Sequence, residues 1–387
     1  MKARDLEAAL THACACVALG YVARAARFAR SWMSVPMLAD APARPLPTLS
    51  IVVPARNEER SIERCVTSLL AQRWLEFEVI VVDDGSSDAT PRILERLAAA
   101  DARLKVIRGA PLPEGWVGKP WALAQGAAAA SGAWLLFTDA DSAHEPEGSA
   151  STLRFALAMG ADAISIGPYQ ELESFWERAV LPSVLGLILF AAGTLGEIND
   201  RRKPKRALAN GQYIMVSRRA YDALGGHEAL RAEIVEDVEF AKRIKSDGRF
   251  RYLLAAGYRV ARVRMYHSFP EIWLGFTKNV FIGANGNLLV LALGITFMCA
   301  ISIVPPALAV CAVARRRPAL ALEALATMGA VVAAASWGMR LAGFSRRLAL
   351  YQPLGTAVFA AIIANSTFCV LGGKGVEWRG RRYHARK

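Results

Sequence analysis

Residues 49–88 read LSIVVPARNEERSIERCVTSLLAQRWLEFEVIVVDDGSSD. Leu49–Val53 is an apolar run that stops at Pro54, the pattern of a strand buried on both faces. Ser61–Gln72 carries Ile62, Cys65, Val66, Leu69 and Leu70 at helical spacing. Glu78–Val82 is a second buried run, and it ends in Asp83-Asp84-Gly85-Ser86-Ser87-Asp88. Strand, helix and strand in that order predict a right-handed parallel βαβ unit. Ligands of such sheets bind beyond the carboxyl ends of the strands. The polar clusters fall at those ends: Arg56-Asn57-Glu58, then Asp83-Asp84, then Asp139-Ala140-Asp141 after the apolar Trp134–Thr138. Three such loops on one sheet edge define a site.

Outward from this stretch, the soluble α/β reading extends to about Tyr266 and is expected as one domain over residues 49–270. Residues 31–48 read as a linker, with Pro36, Pro42, Pro45 and Pro47 close together. Residues 1–30 hold an apolar run followed by Arg24, Arg27 and Arg30 rather than by a small-residue cleavage site. That is an anchor with its C-terminal side cytoplasmic, not a cleaved signal peptide. The apolar stretch 175–195 has Glu177 and Arg178 near its start and Pro182 inside. It is expected to lie on the headgroups with Trp176 as anchor. Residues 271–287 read as an interface helix, and 288–387 as membrane helices followed by a basic tail.

Composition agrees. Of 387 residues, 54% are hydrophobic and 21% charged, with mean hydropathy +0.25, which excludes disorder and argues against a purely soluble enzyme. The net charge of +13 collects beside apolar segments, at Arg315–Arg317 and after Gly373, rather than in a stripe through a folded domain. That placement faces anionic lipid and argues against nucleic acid as a partner. The six cysteines show neither a CxxC pair nor zinc spacing.

Chemistry concentrates in few residues. Asp139 and Asp141, two apart at a strand end, suit a hard divalent cation that leaves positions open for phosphate oxygens. A lone Asp-x-Asp is ordinarily a turn, but Asp84 occupies the same kind of position and Lys119 is placed to reach a diphosphate. Asn210-Gly211-Gln212 and Gly225-Gly226-His227 read either as turns or as flexible backbone beside polar side chains. Glu236 and Asp237 open an amphipathic helix. Such acids are commonly dipole partners, yet a base for an attacking hydroxyl is what the other residues lack.

LSIVVPARN (49–57), VVDDGSSD (81–88), FTDADS (137–142) and VEDVEF (235–240) stand in the order of a family 2 glycosyltransferase with a GT-A fold, which the chain resembles over about residues 49–245. GWVGKPWAL (115–123), YHSFPEIWLGFTKN (266–279) and WRGRRY (378–383) are similar to membrane-bound members that act on lipids, the hopanoid-associated and carotenoid glycosyltransferases. The resemblance implies an α/β, Rossmann-like nucleotide-sugar domain with helical membrane segments at both ends. It implies that Pro54, Arg56 and Glu58 border the nucleotide and that Asp84 bonds uracil. Asp139 would lie by the ribose and diphosphate, with Asp141 on Mg²⁺ or Mn²⁺. Asp237, beside Glu236, would be the general base, and Gly211, Gln212 and His227 would lie near the acceptor.

The reaction implied is a single displacement with inversion, from a UDP-sugar to a lipid hydroxyl. The Gln-x-x-Arg-Trp motif of processive synthases is not found after the acidic helix; Glu271–Phe276 stands there, with Trp273 as a candidate cap on the acceptor. That argues against a polysaccharide synthase, and the intact acids argue against a non-catalytic scaffold. The expected location is integral to a bacterial inner membrane, with the catalytic block cytoplasmic. Pro305-Pro306 predicts that 288–313 enters and returns as a hairpin, keeping Arg315–Arg317 and the tail inside.

Overall fold

The computed structural model describes residues 3–34, 45–73, 76–284, 286–373, 376–378 and 381–383. In chain order these form α1 (Ala3–Ser34), β1 (Leu49–Ala55), α2 (Ile62–Leu70), β2 (Phe77–Asp83), α3 (Thr90–Ala100) and β3 (Leu104–Arg108). Then come α4 (Gly118–Ala129), β4 (Trp134–Thr138), β5 (Ser142–His144), α5 (Gly148–Ala158), β6 (Ala163–Gly167) and β7 (Tyr169–Gln170). α6 (Phe175–Ala192), α7 (Leu195–Asn199), β8 (Tyr213–Ser217), α8 (Arg218–Ala223), α9 (Glu236–Asp247), β9 (Tyr252–Ala256) and β10 (Ala261–Val263) follow. The rest is helical through α10 (Phe269–Gly283), α11 (Leu288–Met298), α12 (Val304–Ala314), α13 (Pro318–Leu341) and α14 (Gln352–Leu371), before a short hairpin of Val376–Trp378 with Arg381–Tyr383.

The chain divides into two units. One comprises residues 35–171 and 195–265, the other residues 1–34, 172–194 and 266–387. The first is built on a seven-stranded sheet of order β3-β2-β1-β4-β8-β6-β9, in which β8 alone runs against its neighbours. The apolar runs read from the sequence are its centre: β1 pairs in parallel with β2 along its whole length and with β4 over Leu49–Val52. Because the β4 pairing ends at Val52, Pro54 removes no donor from that ladder. Ile62, Cys65, Val66 and Leu69 of α2 are all buried, as the helical spacing requires. On the opposite face α4 lies so close to β1 that a Cβ at Gly126 would collide with Val52. A small sheet of order β5-β10-β7 completes the unit.

The second unit is helical, and it departs from the expected plan in three ways. Residues 172–194 group with it rather than with a continuous 49–270 domain, and the sheet unit ends at Met265. Among the described residues α6 is one of five helices long and apolar enough to span a membrane, with Arg4–Trp32, Leu288–Ala314, Pro318–Leu341 and Arg346–Leu371. The expected hairpin at 288–313 is absent. α11 continues into α12 through a π turn at Cys299–Ile303, with Pro305 and Pro306 in the first turn of α12. Proline is tolerated at such a position, and the wider turn accommodates the ring, so the chain passes on without reversing.

The third departure concerns charge. Arg315 and Arg317 do not simply face outward: both bond the buried Glu7 of α1, at 2.7 and 3.0 Å. α1 reaches Ser34, past the expected end of the anchor at residue 30. Most of the proline-rich linker, residues 35–44, and much of the basic tail lie outside the described residues.

Candidate active site

The loops after β1 and β2 are stitched together at the carboxyl edge. Asn57 takes a left-handed φ of 54°, and its Oδ1 accepts the Ser87 N–H at 2.8 Å while Ser86 Oγ accepts the Asn57 N–H at 2.9 Å. The Arg56 guanidinium donates to the Asp84 carbonyl, and the Glu58 N–H bonds Thr90 Oγ1 at 2.8 Å. Asp84 is thereby held in place and buried, at 8% exposure. Pro54, Arg56, Glu58 and Asp84, predicted to border a nucleotide, thus come from one rim formed by two adjacent strands.

Asp139 and Asp141 follow the neighbouring β4. The Cys65 thiol reports how the acids converge. Burial pushes it up to about 12, and the charges of Asp141, Glu58 and Asp139 add to the effect. Among the described residues no group of three or more His, Cys, Asp or Glu side chains is set to hold a metal ion. Asp139 and Asp141 supply two hard carboxylate oxygen donors, the donor type that Mg²⁺ takes together with water and phosphate oxygens.

Lys119, at the start of α4, is the centre of charge. Its Nζ stands 2.8 Å from Asp139 Oδ1 and 3.0 Å from Glu236 Oε1. Burial alone would lower its pKa, but Asp139, Glu236 and Asp237 together hold it well above the ordinary lysine value. Asp237, in the first turn of α9, shows the opposite balance. Burial and the charge of Glu236 raise it to about 6, against Lys119 and two backbone N–H groups. Those donors are Val238 and Gly211, each at 2.8 Å.

Gly211 is required by close approach: a Cβ there would lie 2.9 Å from Lys119 Nζ and 3.3 Å from Asp237 Oδ2. Lys119, Asp139, Gly211, Glu236 and Asp237 therefore meet at one point, carried by segments far apart in sequence. A carboxylate whose pKa is near neutrality can take a proton at physiological pH and lose it again.

Other predicted residues make packing or hydrogen-bond contacts of their own. His227 is buried, with its ring edge-on to Phe137 at 4.6 Å and Nδ1 hydrogen-bonded to the Tyr221 hydroxyl at 2.9 Å. Burial, then the Lys119 charge, lowers its pKa to about 3, which keeps the imidazole neutral. The Gln212 side chain is also buried, accepting at Oε1 from Gln170 and Asn210 at 3.0 and 3.1 Å. Trp273 belongs to α10 of the helical unit, where its ring meets Phe269 at 5.9 Å. Four residues that the sequence motifs do not single out, Cys65, Thr138, Ser142 and His144, form a buried polar network beneath the Asp139 loop. A histidine three residues after Asp141, in so apolar a sheet, is the only signal of it.

A mixed seven-stranded sheet with carboxylates gathered beyond its carboxyl edge is the architecture of the GT-A nucleotide-sugar glycosyltransferases. The sequence model of glycosyl transferase family 2 matches residues 50–225. The chain is 28% identical over 247 residues to the 4,4'-diaponeurosporenoate glycosyltransferase of Staphylococcus aureus strain USA300, and 28% identical over 248 residues to that of strain bovine RF122 / ET3-1. The matched part is 62% of this chain and 62% of each relative, so the chain spans about three-fifths of the length of the curated relatives it matches. Among solved structures it is similar to a mannosyltransferase, PcManGT from Pyrobaculum calidifontis, determined in complex with GDP-Man and Mn²⁺. That likeness has a TM-score of 0.54 and 19% identity over 95% of this chain and 98% of the other.

Proposed function

We propose that this chain transfers one sugar, with inversion, from a nucleotide sugar to the hydroxyl of a membrane lipid, and that a divalent cation assists. The observation that carries the reading is Asp237, raised to about 6 and oriented by the Gly211 N–H beside Lys119. In the reaction Asp237 removes the proton of the acceptor hydroxyl. That oxygen attacks the anomeric carbon, and the bond from this carbon to the diphosphate oxygen breaks with its electron pair leaving on the nucleotide diphosphate.

Asp139 and Asp141 would hold Mg²⁺ or Mn²⁺ at the diphosphate, where a bound cation neutralises the leaving group's charge. Arg56, Glu58, Pro54 and Asp84 would border the nucleotide, with Asp84 meeting a uracil base. Glu236 holds the Lys119 charge in place and sets the basicity of Asp237. Holding donor and acceptor in one orientation supplies a large share of the rate.

The lipid acceptor is supported by the apolar helices and by the similarity to enzymes named for a carotenoid acid. Chain connectivity bears on how the helices meet the bilayer. Both flanks of α6 return to the sheet unit, so a single crossing there would separate strands of one sheet, which supports an interfacial α6. α14 starts beside the middle of the long α11–α12 helix, where Gln352 Nε2 bonds Ser302 Oγ at 2.7 Å. It ends beside α10, where Ser366 Oγ bonds the Thr277 carbonyl at 2.6 Å. These contacts support a path in which α14 dips in and out on one side, with α1, α11–α12 and α13 as the crossings. This keeps the sheet unit and the basic tail on the cytoplasmic face, where nucleotide sugars are.

The test is donor turnover by the full chain in detergent, with a panel of nucleotide sugars and total lipid extract. Metal-dependent transfer to lipid that disappears in both Asp141→Ala and Asp237→Ala proteins is expected. Full activity in either variant overturns the reading.

A further inference from the structure

The imidazole of His144 joins the two loops that the reaction must keep in register. It closes β5, is 5% exposed, and lies three residues after Asp141. Its Nε2 is 3.0 Å from Thr138 Oγ1 and 3.0 Å from Ser142 Oγ. Each hydroxyl has one proton, and each proton is already committed. Thr138 donates to the Gln212 carbonyl at 2.7 Å, and Ser142 donates to the Asp139 carbonyl at 2.7 Å. Carbonyl oxygens only accept. The proton shared with both hydroxyls must therefore sit on Nε2, leaving Nδ1 bare, and Nδ1 is a buried atom with no hydrogen-bond partner. The other tautomer would bury an unsatisfied N–H and take a proton from one of the two carbonyl bonds, the costlier arrangement.

We propose that His144 is a positioning residue whose Nε2–H fixes the Asp139–Asp141 loop against the Asn210–Gln212 loop. One side of the bridge ends on the Asp139 carbonyl. The other ends on Gln212, whose neighbour Gly211 donates the N–H that orients Asp237. The bridge thus sets the separation of the diphosphate end of the site from its base. The His144 backbone is held independently, by Ser68 Oγ at 2.9 Å and by pairing with Ala261, so the side chain can be varied without releasing the strand.

The catalytic part of this inference rests on the function proposed above; the mechanical part does not, and the experiment separates them. Hydrogen exchange is followed at the Gly211, Gln212 and Ser142 amides of the full chain. In His144→Met, similar in length but without a donor, exchange there should accelerate about tenfold, the worth of one buried hydrogen bond, while β1 and β2 stay unchanged. His144→Gln, whose amide reaches the Nε2 position, should restore the wild-type rate to within about twofold. With donor and lipid supplied, kcat should fall about tenfold or more in the Met variant with donor KM nearly constant, and recover in the Gln variant.

Unchanged exchange in His144→Met overturns the bridge, whatever the activity. Faster exchange with unchanged kcat overturns the positioning role. Equal loss in the Gln variant overturns the role of the N–H and assigns the effect to ring packing. Should His144→Met fail to fold, His144→Asn, whose shorter amide cannot reach Thr138 and Ser142, takes its place. A wild-type chain that transfers no sugar removes the function and leaves the exchange result standing.

Discussion

Asp237 carries its charge against two opposing influences, burial and the adjacent Glu236, and this fixes how the protein should respond to pH. Turnover should fall as pH drops through about 6, because the base is then protonated. Asp237→Asn should lose roughly a hundredfold to ten-thousandfold in kcat. Its effect on stability has the opposite sign. A carboxyl raised above its unfolded value contributes stability that is fully present below that unfolded value and is lost as pH rises through about 6. Asp237→Asn should therefore be more stable than the parent at pH 8, by about 1–2 kcal/mol after screening, and no more stable below about pH 4. Thermal scans at the two pH values check it.

Glu236→Gln removes one of the charges that raise Asp237, so the acid limb of its pH–rate profile should move to lower pH. An unmoved limb would mean the two carboxylates do not sense each other. Gly211→Ala should keep its folding temperature while losing about tenfold in kcat/KM, because Lys119 and Asp237 must shift to admit the methyl group. Asp139, Asp141 and Asp237 stood out in the sequence through their motif context, because an Asp-x-Asp turn or an acid in a helix's first turn is by itself commonly structural. The role of Lys119 as a hub between Asp139 and Glu236 was not, since nothing in Gly118-Lys119-Pro120 specifies which carboxylates will surround it.

Strands and helices of the sheet unit follow patterns that local chemistry dictates. β1 and β2 are apolar runs stopped by Pro54 and by the Asp83–Asp88 turn, and α2 buries its apolar stripe. What local pattern could not supply is the meaning of single polar residues inside apolar helices. Glu177 looked like a barrier to membrane insertion; it is instead the N3 member of a capping box with Ser174, satisfying the helix start. Pro305-Pro306 looked like a break, and the π turn before it absorbs the strain.

α4 offers the clearest test that element packing governs the site. It lies against β1 at Gly126 and carries Lys119 at its start. Gly126→Val should push the helix from the sheet, costing about 1–3 kcal/mol of stability by overpacking. Donor turnover should fall with it, although Gly126 is about two helical turns from the lysine. Circular dichroism melting and the donor assay, run on the same preparation, check both halves.

Charge along the whole chain gains a consistent reading once the helices are followed end to end. α1 and α13 run in the same sense: Glu7 meets Arg315 and Arg317 just before α13, His12 meets Glu323, and Ala18 packs with Val331. The arginine triplet therefore lies at the N-terminal end of α1, across the bilayer from Arg24, Arg27 and Arg30 if α1 spans. Two of its three charges answer Glu7, which lowers their weight in the positive-inside balance. The path proposed for α14 puts Arg340, Arg346 and Arg347 on the cytoplasmic side, together with Arg24, Arg27 and Arg30.

A hairpin at 288–313 would have put the triplet inside as well, so one position discriminates. In sealed right-side-out vesicles, with the native cysteines replaced, Arg316→Cys should react with a membrane-impermeant maleimide from the outside. Lys387→Cys should react only after permeabilisation. Protection of position 316 would restore the hairpin, and labelling of position 387 from outside would make α14 a true crossing. The expected pattern, outside at 316 and inside at 387, supports three crossings by α1, α11–α12 and α13.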